Sequence, residues 1–150
     1  MAVQPRPDGY PTVTPYLTVN GAAKLLEFVK KAFGAQEFVN MPTPDGKIGH
    51  AEVRIGDSVV MLADAGTQDD GHGMTGALLV YVDDCDKTYQ QALEAGATSL
   101  REPRNEFYGD RMGGVKDPTG NEWWMATHVE DVTPEEIQRH VQELMSQGQQ

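Results

Sequence analysis

The sequence predicts an α+β protein: two βαβββ modules whose sheets form paired half-barrels, followed by a C-terminal helix. Three observations carry the prediction. Residues 65–76 hold four glycines and no hydrophobic periodicity, and they divide the chain of 150 residues almost in half. The order of elements on either side is the same, repeating at an offset of about 63 residues. The helix-ending glycines Gly34 and Gly96, and the turn glycines Gly56 and Gly120, fall at matching places in the two halves. The chain therefore reads as an extended arm (1–11), a first module (12–64), a linker (65–76), a second module (77–128) and a helix with its tail (129–150).

Taken in order, Pro5, Pro7 and Pro11 hold the arm extended. Val13–Val19 reads as a strand, with Val13, Leu17 and Val19 on one face and Thr14, Tyr16 and Thr18 on the other. Asn20 is a candidate cap for a helix in which Ala22, Leu25, Leu26, Val29, Ala32 and Phe33 recur at helical spacing. Gln36–Met41, Ile48–Ile55 and Ser58–Ala63 complete the first module as strands. In the second, Ala77–Val82 is a strand and Asp84 or Asp86 caps a helix with Cys85, Tyr89, Ala92 and Leu93 on one stripe. Ser99–Arg101, Arg111–Lys116 and Glu122–Thr127 follow as strands. Thr133-Pro134-Glu135-Glu136 is a capping box that opens the last helix, whose stripe is Ile137, Val141 and Leu144.

Composition excludes several classes. With 12 Lys+Arg against 23 Asp+Glu and a net charge of −11, there is no basic footprint for nucleic acid. No apolar run approaches the length of a membrane span, and the N-terminus lacks the apolar stretch of a secretory signal. Cys85 is the only cysteine, so no internal disulfide forms and a reducing cytoplasm is expected.

Several local stretches stand in a telling order: Pro15-Tyr16-Leu17-Thr18-Val19, Lys31-Ala32-Phe33-Gly34-Ala35, Asp45-Gly46-Lys47-Ile48-Gly49-His50-Ala51-Glu52, Tyr108-Gly109-Asp110-Arg111 and Asp117-Pro118-Thr119-Gly120-Asn121. Together they resemble the vicinal oxygen chelate superfamily of glyoxalases, bleomycin-resistance proteins and ring-cleaving dioxygenases. The stretch from Ala126 to Glu136 resembles its PhnB-like branch. The resemblance implies a homodimer, and it implies a fold that hosts both enzymes and drug binders. Enzymes of the superfamily hold a divalent metal with His, Gln or Glu from the first and last strands of each half. Carried over residue by residue, those positions fall here on Thr14, Ala77, Val60 or Met61, and Trp124. A hydroxyl, a methyl, apolar chains and an indole do not replace imidazole and carboxylate. No metal and no other cofactor is expected.

Alternation names what lines the concave faces instead. His50, Glu52 and Arg54 lie opposite the helix-facing Ala51, Val53 and Ile55. Tyr16, Tyr81, Glu122 and Trp124 join them, so the expected pocket has aromatic walls and a few charges. The leading reading is a metal-independent binder of an aromatic, amphipathic or cationic small molecule such as an antibiotic. A second is a lyase- or isomerase-type enzyme using His50 and Glu52, with or without a relocated metal. A third is a purely structural or regulatory dimer.

Overall fold

In the computed structural model, residues 3–66 and 73–148 are described. The linker read over 65–76 falls partly outside them, and so does His72. The first module runs β1 (Tyr16–Val19), α1 (Ala22–Phe33), β2 (Gln36–Pro42), β3 (Ile48–Ile55) and β4 (Ser58–Asp64). The second runs β5 (Ala77–Tyr81), α2 (Cys85–Glu94), β6 (Thr98–Asn105), β7 (Asp110–Lys116) and β8 (Glu122–His128), and α3 (Pro134–Gly148) closes the chain. Each module is a four-stranded mixed sheet, in the orders β1-β4-β3-β2 and β5-β8-β7-β6. In each, the first strand lies parallel to the last and the others pair antiparallel.

The helical period of α1 buries Ala22, Leu25, Leu26, Phe28, Val29 and Ala32. Gly34 ends it in the left-handed region at φ 65°, where a side chain is strained. The modules meet through α1 against α2. One core results, and it takes the helix-facing side chains of both sheets: Ala51, Val53 and Ile55 from β3, Val115 from β7, and Trp123 and Met125 from β8. Trp123 is 0% exposed and packs on Phe28 and Phe33 of α1, at ring-centroid distances of 6.3 and 5.0 Å. Its indole N–H donates to Asp117 Oδ2 at 2.7 Å.

Some boundaries differ from the sequence reading. The first strand begins at Tyr16, not Val13, and Val13 is 81% exposed. Pro15 has no N–H to give a ladder, and pairing starts where its carbonyl accepts from Met61 N–H at 2.9 Å. The sixth strand is longer than expected, running to Asn105 through register shifts on either side of Arg101. No described residue of α3 is buried; its best contact is His140 stacked on Phe107 at 4.5 Å.

The cap of α1 is also not the expected Asn20. Gly21 opens the helix at φ 89°, and Asp64, at the end of β4, accepts from Gly21 N–H at 3.2 Å and Ala22 N–H at 2.9 Å. Its second oxygen accepts from Ile48 N–H at 2.8 Å. One carboxylate thus joins the starts of α1 and β3 to the end of β4. Asp64→Ala is expected to cost about 1–2 kcal/mol, the usual worth of a cap, and to lower Tm by about 3–6 °C. Asp64→Asn should recover part of the loss in thermal melts.

Candidate functional site

Because side chains alternate along a strand, burying one face of each sheet in the core fixes which residues stand on the other. On the first sheet these are Tyr16, His50, Glu52 and Arg54; on the second, Tyr81, Glu122 and Trp124. The structure places them in two groups and not in the single pocket the sequence suggested. A cavity of about 730 Å³ holds Glu52 and Met61. A cleft of about 880 Å³ between the modules holds Leu79 and Tyr81 of β5, with Phe33 and Trp123. Neither of these two cavities contains both groups.

On the first sheet the N-terminal arm lies over the open face. Tyr10 donates its phenol proton to Glu52 Oε1 and packs edge-on against Phe38 at 6.4 Å. Arg54 sits over the Phe38 ring at 5.2 Å and reaches Gly9 O at 3.4 Å. Glu52, 8% exposed, takes its other hydrogen bond from His50 Nε2 at 2.8 Å. With that proton on Nε2, a neutral imidazole accepts the Tyr16 O–H at Nδ1, also at 2.8 Å. Burial pushes the Glu52 carboxyl up, but the hydrogen bonds from Tyr10 and His50 outweigh it and hold the group below its ordinary value. The result is a relay from Tyr16 through His50 and Glu52 to Tyr10. Glu52 pairs here with His50 and Tyr10, not with Arg54 as an ion pair.

On the second sheet Trp124 is half-buried and lies outside both of these cavities. Trp124 lies flat on the sheet: a Cβ built on Gly114, its partner on β7, would come within 2.6 Å of the indole ring. Only glycine permits that approach. Arg101 of β6, opposite Gly114, places its guanidinium 5.2 Å from the Trp124 ring centroid. Tyr81, 66% exposed, donates to Asp110 Oδ2 at 3.0 Å. Glu122 stands at the start of β8, paired with Ala77 and Lys116.

At the far end of β8, His128 bonds Asp110 through Nδ1 at 2.8 Å and Asp131 through Nε2 at 2.7 Å. Both acceptors are carboxylates, so both ring nitrogens donate and the imidazole is charged. The hydrogen bond to Asp110, then that to Asp131, raises its pKa above 6.5. Arg111 is engaged elsewhere: it grips Asp86 of α2 with Nε at 2.6 Å and Nη2 at 2.9 Å.

The metal positions of the superfamily do not fit here. On the faces turned from the core, β1, β4, β5 and β8 present chiefly Tyr16, Met61, Leu79, Tyr81, Trp124 and Ala126. Among the described residues no three of His, Cys, Asp or Glu are grouped to hold an ion. His50 and Glu52 bond each other and two tyrosines.

The sequence reading missed Tyr10, Arg101 and Gly114. Tyr10 sat in a proline-rich arm with no periodicity to aim it, and Arg101 lies beside an irregular stretch of β6 where alternation breaks. Gly113-Gly114 before a strand opposite a tryptophan was the one usable signal.

Comparison with known proteins agrees with the fold. The family model of the Glyoxalase/Bleomycin resistance protein/Dioxygenase superfamily matches residues 11–125. The uncharacterized protein Rv0887c of Mycobacterium tuberculosis strain H37Rv is 39% identical over 137 residues, covering 85% of this chain and 81% of its own. A Mycobacterium bovis relative, Mb0911c, is likewise 39% identical and is covered over 90% of its length. Among solved structures, TioX from Micromonospora sp. ML1 superposes with a TM-score of 0.68 at 22% identity, covering 79% of this chain and 99% of that one. A superfamily member from Sphaerobacter thermophilus gives 0.63 at 21% identity, over 76% and 94% of the two chains. This chain belongs to the Glyoxalase/Bleomycin resistance protein/Dioxygenase superfamily.

The His128 bridge makes a pH prediction. A raised folded pKa means the tie is fully present below the ordinary histidine value and is lost as pH rises through the raised one. Proton NMR of the His128 ring should give a midpoint above 6.5. Asp131→Asn should move that midpoint down, and amide exchange around Val129 and Glu130 should speed up across the same interval.

Proposed function

We propose that this member of the superfamily is a metal-independent small-molecule-binding protein that holds a planar aromatic ligand against Trp124. The carrying observation is the indole itself, laid flat over Gly114 on the open face of the second sheet. An indole so placed is a rigid stacking surface, and the Arg101 guanidinium at its ring, with Tyr81 and Glu122 on the same face, suits orientation of one small molecule. Drug resistance in the superfamily's own description makes an antibiotic the natural ligand class, and the Ala126–Glu136 stretch puts the chain in the PhnB-like branch on our reading. The exposed Leu79, Val141, Leu144 and Met145 suit a homodimer. A lone buried thiol, Cys85, suits the cytoplasm. No helix among the described residues is long and apolar enough to cross a membrane.

A second reading is favoured by the relay on the first sheet. There Glu52 orients His50, and His50 faces the Tyr16 phenol, the arrangement an acid–base enzyme of lyase or isomerase type uses to move a proton. On that reading Tyr16→Phe and Glu52→Gln each abolish turnover and leave binding at Trp124 intact.

Isothermal titration of chelator-treated protein with bleomycin and other planar antibiotics tests the first reading. At least one should bind at micromolar or lower Kd, with no change on adding divalent metal. Trp124→Ala should weaken that binding about tenfold, the scale of one lost stacking contact. Unchanged affinity in the variant overturns the stacking site.

A further inference from the structure

We infer that the ligand taken at Trp124 is an aromatic oxyanion, an arene bearing a carboxylate or comparable acidic group, with Arg101 as the residue that reads the charge. This deepens the binding reading above and rests on it. The argument starts from the guanidinium. Arg101 Nη2 donates to Met112 O at 2.9 Å and to Glu106 Oε1 at 2.8 Å. Its Nε is buried and has no hydrogen-bond partner, alone in that respect among the buried side-chain nitrogens and oxygens of the described residues. A buried donor left unmet is a standing cost that an acceptor relieves.

The chain itself shows what such a group is built for. In Arg111 the same pair of nitrogens, Nε and Nη2, is filled by both oxygens of Asp86. Two parallel bonds from Nε and Nη2 to two oxygens are the strongest contact a guanidinium makes. In Arg101, Glu106 takes Nη2 with one oxygen, and that same oxygen also accepts from Arg104 Nε at 2.8 Å. Two guanidiniums therefore share one carboxylate oxygen, and Arg101 is left with the Nε donor that Arg111 has filled.

That unmet donor belongs to the guanidinium at the indole. Arg101 lies 5.2 Å from the Trp124 ring centroid, so the cation the indole attracts is already present. A cationic ligand stacked on the same ring meets the guanidinium as a like charge. A planar acid meets it as a counterion, its ring on Trp124 and an acidic oxygen turned toward the Nε–H. Of the ligands the sequence reading allowed, a cationic one is the poorer match to this face.

Three probes with one ring system separate the possibilities: 1-naphthoate, 1-naphthamide and 1-naphthylmethylammonium, titrated calorimetrically into the full chain at pH 7 and low salt. The expected result is 1-naphthoate binding at least tenfold tighter than either of the others. Arg101→Met should erase that preference. Arg101→Lys, which keeps a charge and loses the fork, should retain only part of it. Trp124→Ala should weaken all three. If the ammonium or the amide binds wild-type protein as well as the acid, the charge assignment is wrong while the stacking site stands. If none of the three binds at millimolar concentration, the stacking site falls and this inference with it. The wild-type ranking needs no variant to fold.

Discussion

Trp123, held between Phe28 and Phe33 and tied by Asp117, is the contact on which the second sheet's open face depends. It is the largest side chain in the shared core. Once it is seated there, alternation leaves Trp124 no choice of face, and the pairing of β8 with β7 sets it over Gly114. A slip of one residue would exchange the two indoles, placing a buried N–H without Asp117 and a ring without its glycine. Asp117 resists such a slip twice over, because it also accepts from Thr119 and Asn121 and shapes the turn that leads into β8. The proposed binding surface is in this sense a by-product of how the core is closed.

The same module used twice yields two unlike faces. On the first sheet the arm covers the open side, and Glu52 gathers protons from Tyr10 and His50, so the polar groups there are largely satisfied by one another. On the second sheet the indole is half-buried with the Arg101 guanidinium over its ring, and the Nε–H of that guanidinium is unmet. A satisfied network rigidifies, whereas an unsatisfied donor beside a half-buried ring favours whatever ligand completes it. That difference is why the second sheet, not the first, is the stronger candidate for binding, although the relay from Tyr16 to Glu52 keeps proton transfer chemically available.

Loss of the superfamily's metal positions fits this division. A divalent ion would need imidazole or carboxylate from strands of both halves, and Thr14, Ala77, Val60 or Met61, and Trp124 supply neither. What those positions offer is apolar and aromatic surface. On the proposed reading, affinity there would come from area, stacking and a few directed polar bonds.

By itself the sequence determined the element order, the internal repeat and the face of the regularly paired strand residues, because these follow from local periodicity and from glycines at positive φ. The residues it sets at the positions where the resemblance would expect a metal carry neither imidazole nor carboxylate. Only the tertiary structure decided that Asp64 and not Asn20 caps α1, that Tyr10 closes onto Glu52, that the seven candidate residues split between two sheets, and that Arg101 lies against Trp124. Each of those facts joins residues far apart in the chain, and no local pattern encodes which distant partner a donor will meet. The irregular register around Arg101 removed even the parity that placed the others. Partner choice is set by how the sheets pack, and packing is a property of the whole chain.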